Sequence, residues 1–177
     1  MGSPKALLRY REETFLDRLA GLFAARCSPV IVVLGAEAER IRAGVRPAAN
    51  FVVNPVWARG QTTSMQCGLR AVPPGADGVL FTLVDHPAVE PATIDALLAG
   101  PPATLLRVPR YHGRRGHPIW FSREIVSEFL ALPEDGAARD VVRGHAADTE
   151  FVDVEDPGIV ADIDDPEAYR GLTGGGA

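Results

Sequence analysis

Three short, unbroken apolar runs constrain this chain more than anything else in it: "VIVVL" at 30–34, "FVV" at 51–53 and "VLFTLV" at 79–84. Each is closed by a turn former or a polar residue, namely Gly35, Asn54 and Asp85. A strand with one solvated face alternates apolar and polar residues, whereas one buried on both faces reads as a continuous β-branched run. Helical spacing separates the runs. Before the first come Phe15, Leu16, Leu19, Leu22 and Phe23; then "EAERIRAGV"; then "TTSMQCGLRAV", for which Thr62 or Thr63 is the expected N-cap. After Asp85, Pro91 opens the helix "PATIDALLAG", where its missing N–H goes unneeded. Strands alternating with helices predict an α/β fold with a largely parallel sheet.

The second half is less regular. "ATLLRVPRY" and "HPIWFS" read as strands around "HGRRG". "SREIVSEFLAL" is a helix capped by Ser122, "GAARDVVRGH" a shorter helix, "TEFVDVE" a strand and "DPEAYRGL" a last helical turn or two. With 177 residues, no repeat and no long linker, the expectation is one domain over 1–172 and a mobile tail, "TGGGA", over 173–177.

Ligands of such sheets sit beyond the carboxyl ends of the strands, which is where Asp85 and the loop after Asn54 fall. A carboxylate ending a buried run is costly unless its desolvation is offset. A metal ion at the sheet edge would do that; a turn-capping Asp is the plainer alternative. Mg²⁺ takes oxygen ligands, often one or two carboxylates plus substrate phosphates. Asp85 and an acid from "ADIDDPE" (161–167) would suit it. Lys5, the single lysine among 18 basic residues, could neutralise a triphosphate beside them. Against this, Asp165 before Pro166 fits an N-cap followed by N1, although that role needs only one of the acids there.

Other chemistries find little support. Ser64 lacks the Gly-x-Ser-x-Gly elbow. His86, His112, His117 and His145 are scattered, His145 reading as a surface or helix-end residue, and Cys67 reads as core. No Gly-x-Gly-x-x-Gly follows a strand, against a dinucleotide oxidoreductase. Cys27 and Cys67 make neither a metal spacing nor a disulfide framework, which fits a reducing cytoplasm. A net charge of −5 with mixed signs argues against nucleic acid as partner. No apolar stretch is long enough to span a membrane, and the first residues do not read as a signal peptide.

Taken in order, "MGSPKALL" (1–8), "NPVWARGQTTSMQCGL" (54–69), "LVDHPAV" (83–89), "RYHGRRGHPIWFS" (110–122), "LPEDGAARDVV" (132–142) and "VADIDDPEAY" (160–169) resemble the MobA-like nucleotidyltransferases, and within them the molybdenum cofactor cytidylyltransferases. The resemblance implies a three-layer α/β/α sandwich of the nucleotide-diphospho-sugar transferase type, Rossmann-like with a mostly parallel sheet. It implies nucleotidyl transfer from an NTP with release of pyrophosphate. Carried onto this sequence, Lys5 would hold the triphosphate, Asp85 would bind Mg²⁺, and Asp164 or Asp162 would add the second acidic contact. Asn54, Gly60 and Ser64 would lie near base and ribose; Gly116, His117 and Pro118 would face the acceptor. Pro4 and "RGHP" lean toward CTP and molybdopterin, with a molybdenum hydroxylase as possible recipient of the product. A sugar or alditol phosphate acceptor is the nearer alternative; a truncated, non-catalytic nucleotide- or cofactor-binding module is the other. The family normally carries a strand and a Leu-Ala-Ala-Gly-x-Ser-x-Arg loop directly before Met-Gly-x-Pro-Lys. This chain starts at that Met, so the expectation is a sheet lacking its first strand and a cellular protein that begins upstream.

Overall fold

The computed structural model describes residues 3–46, 49–101, 103–163 and 166–174. A two-stranded hairpin, β1 (Arg9–Tyr10) and β2 (Glu13–Thr14), leads into helix α1 (Phe15–Ala24). The expected helix thus starts later than its pattern: Arg11 turns with φ 57°, and Thr14 caps α1 by accepting the Asp17 N–H at 3.0 Å. Phe15, Leu16, Leu19, Ala20 and Phe23 are its buried face, as the helical spacing requires.

Next come β3 (Ile31–Leu34), α2 (Ala38–Gly44), β4 (Asn50–Val53), α3 (Gln61–Arg70), β5 (Gly78–Phe81) and α4 (Pro91–Leu98). The second half supplies β6 (Leu106–Tyr111), β7 (Arg114–Arg115), β8 (Ile119–Ser122), α5 (Val126–Ala131), α6 (Ala138–Gly144), β9 (Thr149–Asp153) and α7 (Pro166–Gly174). Ser122 caps its helical segment as expected, accepting the Glu124 N–H at 3.2 Å. Helix α7 runs to Gly174 and so takes in residues expected in the tail; 175–177 lie outside the described residues.

The fold is the expected α/β sandwich, with a mixed sheet whose longer strands mostly share one direction. β3 and β4 form a parallel pair. The other sheet has the order β5-β8-β6-β7, with β9 parallel to β6 on its other side. Antiparallel pairing of β8 with both β5 and β6 makes β5, β6 and β9 co-directional, with β8 and the two-residue β7 running the other way. The larger core lies here, where Leu106, Phe121 and Phe129 are wholly buried and the two phenyl rings stand 4.5 Å apart. Among the described residues, β3 pairs only with β4 and β5 only with β8. A cavity of about 390 Å³ separates the two sheets, lined by Ile31, Val33, Leu69, Val79 and Phe81 among others. The residues of β5 are accordingly half-buried, not closed in on both faces.

Two local expectations need correction. The third strand ends at Phe81, and Asp85 stands beyond it in a turn, because the ladder with β8 ends at Phe81↔Ile119. Helix α3 has Gly60, not Thr62 or Thr63, at its N-cap: both threonines are inside the helix, and Thr63 Oγ1 turns back to donate to the Gly60 carbonyl at 2.8 Å. Among the described residues no helix is long and apolar enough to cross a membrane.

Candidate active site

Five side chains from four separate stretches converge at the carboxyl edge of β5: Lys5, Asp85, His86, His117 and Asp162. Lys5 Nζ lies 3.5 Å from Asp85 Oδ2. The short 3₁₀ turn Lys5–Leu7 presents it, anchored by Ala6 and Leu7, which pack with Leu34, Ile41 and Val84. Asp85 Oδ1 is buried and lacks a hydrogen bond, and His86 Nε2 is 3.7 Å from it. His86 is itself only 6% exposed.

A bulge brings His117 in. The β6–β7 hairpin pairs Arg110 with Arg115, so an unbroken ladder would set Arg107 opposite Pro118; it stands opposite Trp120 instead. The Gly116 N–H still donates to the Pro109 carbonyl at 3.1 Å in the hairpin's register, so His117 and Pro118 are the two extra residues that leave the ladder, as those of bulges beside active sites do. The His117 N–H then donates to the Ile159 carbonyl at 3.0 Å, and its ring lies 5.0 Å from that of His86. Burial, with a smaller push from His86, lowers the His117 imidazole to about 4; the Asp85 charge and a hydrogen bond to the Phe81 backbone pull weakly the other way. His117 is therefore neutral at pH 7.

The strap after β9 delivers Asp162. Asp156 is buried and accepts from the Glu90 N–H at 2.9 Å, Thr93 Oγ1 at 2.6 Å and the Gly158 N–H at 2.8 Å. Further along, the Ile163 N–H donates to the Asp85 carbonyl at 3.1 Å. The strap is thereby laced to residues 85–93, and Asp162 sits exposed beside Asp85. Ligand atoms of Asp85, His86 and Asp162 all lie within 4.8 Å of one another, close enough for one cation. The donor set and the buried Oδ1 both fit a divalent ion. Asp164 lies outside the described residues.

Asn54, Gly60 and Ser64 are brought together at the start of α3, with Asn54 as a bracket. It is 2% exposed; its Nδ2 donates to Thr63 Oγ1 at 2.9 Å and Ser64 Oγ at 3.0 Å, while its Oδ1 accepts the Val56 N–H at 3.0 Å. Gly60 adopts φ 123°, which only glycine takes easily. Ser64 lines the inter-sheet cavity together with Thr82, Leu83 and Val84, the residues leading into Asp85. Gly116 is a packing requirement: a Cβ there would collide with the Ile159 carbonyl oxygen. Pro118 is buried behind it.

Sequence reasoning missed two contributors. His86 directly follows Asp85 in "VDHP", and that adjacency was the available signal. Arg18, on α1, donates from Nε to the Pro87 carbonyl at 2.6 Å and holds the loop that carries Asp85 and His86. One arginine on a helix leaves no such mark in a linear pattern.

Chemically, the arrangement offers carboxylate and imidazole donors close enough together to hold a cation, with an ammonium group beside them, beyond the end of β5. No serine, cysteine or threonine nucleophile among the described residues stands in hydrogen bond with a base in the cluster. It suits neutralising a polyphosphate and positioning two reactants better than covalent catalysis.

Comparison with known proteins bears on family and fold. The family described as the MobA-like NTP transferase domain matches residues 1–149. The purine catabolism protein PucB of Bacillus subtilis is 32% identical over 113 residues, 63% of this chain and 55% of PucB, so the match spans little more than half of that relative. The crystal structure of Rv0371c from Mycobacterium tuberculosis H37Rv is 31% identical with a TM-score of 0.86, covering 98% of this chain and 90% of that one. A second structure of Rv0371c, in complex with manganese, is also 31% identical, covers 98% of this chain and 93% of that one, and gives a TM-score of 0.78. At 18% identity, 2-C-methyl-D-erythritol 4-phosphate cytidylyltransferase from Thermus thermophilus covers 98% of this chain and 93% of its own with a TM-score of 0.66, a likeness of fold.

Proposed function

The chain belongs to the MobA-like NTP transferase family, and from that premise we propose that it transfers CMP from CTP to the phosphate of molybdopterin, releasing pyrophosphate. The observation that carries the reading is the Lys5–Asp85 pair at 3.5 Å beside Asp162 and the buried Oδ1. A scaffold has no use for an ammonium group and a cation site on one strand edge. The lean to cytidine and molybdopterin rests on Pro4 and "RGHP".

In this reading an oxygen of the acceptor phosphate forms a bond to the α-phosphorus, and the bond from that phosphorus to the bridging oxygen breaks. The attacking oxygen is already ionised, so positioning and charge neutralisation replace general-base catalysis. Lys5 would neutralise charge on the departing pyrophosphate. Asp85 and Asp162 would hold the divalent cation, for which Mg²⁺ suffices; when bound it supplies further charge neutralisation there. The manganese complex of Rv0371c supports a divalent cation in this fold. Ser64 would lie along the nucleotide and residues 116–118 near the acceptor.

Pyrophosphate release tests this, with Mg²⁺ or Mn²⁺ and CTP, GTP, ATP or UTP in turn, against molybdopterin cofactor. Turnover with CTP that is lost in Asp85→Ala is expected. Turnover only with a sugar or alditol phosphate would replace the acceptor, and silence with every nucleotide would move the chain to a binding role.

A further inference from the structure

Resting on the cation-assisted reading above, we propose that His86 is a ligand of the divalent ion and that its imidazole makes the site prefer Mn²⁺ over Mg²⁺.

The two oxygens of Asp85 are divided in their surroundings. Oδ2 faces Lys5 at 3.5 Å, while Oδ1 is buried without a hydrogen bond and lies 3.7 Å from His86 Nε2. A carboxylate oxygen in that state is costly, and a cation between Asp85, His86 and Asp162 removes the cost. Their ligand atoms fall within 4.8 Å of one another. With bonds of about 2.1 Å, ligands on opposite sides of one ion stand about 4.2 Å apart, so small side-chain shifts close the site.

His86 reaches this place on a held backbone. Arg18 grips the carbonyl of the next residue, Pro87, at 2.6 Å, and the His86 ring lies 5.0 Å from that of His117 at an interplanar angle of 35°. The ring is thus set beside the carboxylates before any ion arrives, which lowers the ordering cost of binding one. Asp162 is exposed, leaving the solvent side of the site for water and phosphate oxygens.

The metal preference follows from the donor. Mg²⁺ takes oxygen ligands and gives up its waters reluctantly, whereas an imidazole nitrogen suits first-row transition ions. Two carboxylates alone would accept either ion; adding His86 tilts the site to Mn²⁺.

The test uses the full chain, stripped with chelator and titrated with Mn²⁺ alone, without nucleotide. Electron paramagnetic resonance follows binding and competition by Mg²⁺, and electron spin echo modulation detects nitrogen-14 coupled to the bound ion. The expected result is nitrogen coupling in the unaltered protein, kept in His117→Asn and lost in His86→Asn, with Mn²⁺ affinity in the latter lower by at least about 10-fold, the smallest loss typical even of an outer-shell partner. Mn²⁺ bound without nitrogen coupling overturns the proposal, as do coupling that survives His86→Asn, displacement of Mn²⁺ by an equal concentration of Mg²⁺, and absence of Mn²⁺ binding. The spectrum of the unaltered protein decides even if His86→Asn fails to fold. If instead the transferase reading fails, pyrophosphate release is absent while the nitrogen coupling persists.

Discussion

The backbone N–H of Ile163 donates to the carbonyl of Asp85 across 3.1 Å, joining residues 78 positions apart. That bond fastens the strap after β9 to the turn after β5. Asp162, the residue before it, is placed beside Asp85 as a result. The candidate site is therefore a junction of backbone segments, and its behaviour depends on what holds them.

Removing the charges should stop turnover without unfolding the protein. Asp85→Asn and Lys5→Met are each expected to lower kcat/KM by at least about a hundredfold, since each removes charge neutralisation worth several kcal/mol in the transition state. Steady-state pyrophosphate release checks this, with thermal melts to show that the variants fold. Retained turnover in Asp85→Asn would remove Asp85 from the chemistry.

Arg18→Ala should loosen the loop from behind. It removes the 2.6 Å bond to the Pro87 carbonyl and the packing of Arg18 on the Tyr10 ring, 5.2 Å from its centroid. A loss of about 1.5–3 kcal/mol is expected for a bond from a charged donor. The melting temperature should fall by several degrees, and Mn²⁺ affinity should weaken although Arg18 touches no proposed ligand. An unchanged affinity would show that the loop keeps its shape without the clamp.

Two glycine substitutions should act in opposite directions. Gly116→Ala drives a Cβ into the Ile159 carbonyl oxygen, so the bulge or the strap must move; a destabilisation of about 2 kcal/mol or more is expected, with loss of activity. Gly21→Ala, inside α1 with nothing within 4 Å of the new Cβ, should stabilise by about 0.5–1 kcal/mol. Urea unfolding of both variants is the measurement. Equal effects would mean that the tight contact at Gly116 relaxes at no cost.

His117 should make the metal-free protein acid-sensitive in a defined window. Its folded value of about 4 lies below the ordinary 6.5, so between these values the unfolded chain binds the proton more readily. The contribution is complete above pH 6.5 and is lost as pH falls toward 4, by at most about 3 kcal/mol. Urea midpoints from about pH 7.5 to 4 in chelator, compared with His117→Phe, should show a steeper decline in the unaltered protein. Parallel curves would place the acid sensitivity elsewhere.

Much of the fold was legible in the chain. The three apolar runs became β3, β4 and β5, and Pro91 and Ser122 opened helical segments where their chemistry predicted. The end of β5 was not legible: "VLFTLV" continues in sequence, but the ladder stops at Phe81 because its partner β8 starts at Ile119. The N-cap of α3 was misread for a related reason. Thr62 turns to the Gly136 carbonyl and Thr63 to the Gly60 carbonyl, and the first of these partners lies 74 residues away. At the site, Lys5 and Asp85 stood out by type and position, whereas His86 and Arg18 did not.

The sequence by itself determined the α/β alternation, the closing of the first two strands at Gly35 and Asn54, and the order in which one lysine and the aspartate of "VDHP" occur. Those properties rest on side-chain periodicity and backbone preference, which act over a few neighbouring residues. Only the tertiary structure decided that His86, His117 and Asp162 meet Asp85. That meeting needs a two-residue bulge between β7 and β8, a buried Asp156 pinning the strap, and the bond from Ile163 to Asp85. Each joins segments tens of residues apart, and packing free energy over the whole chain sets such contacts, with no local pattern to announce them.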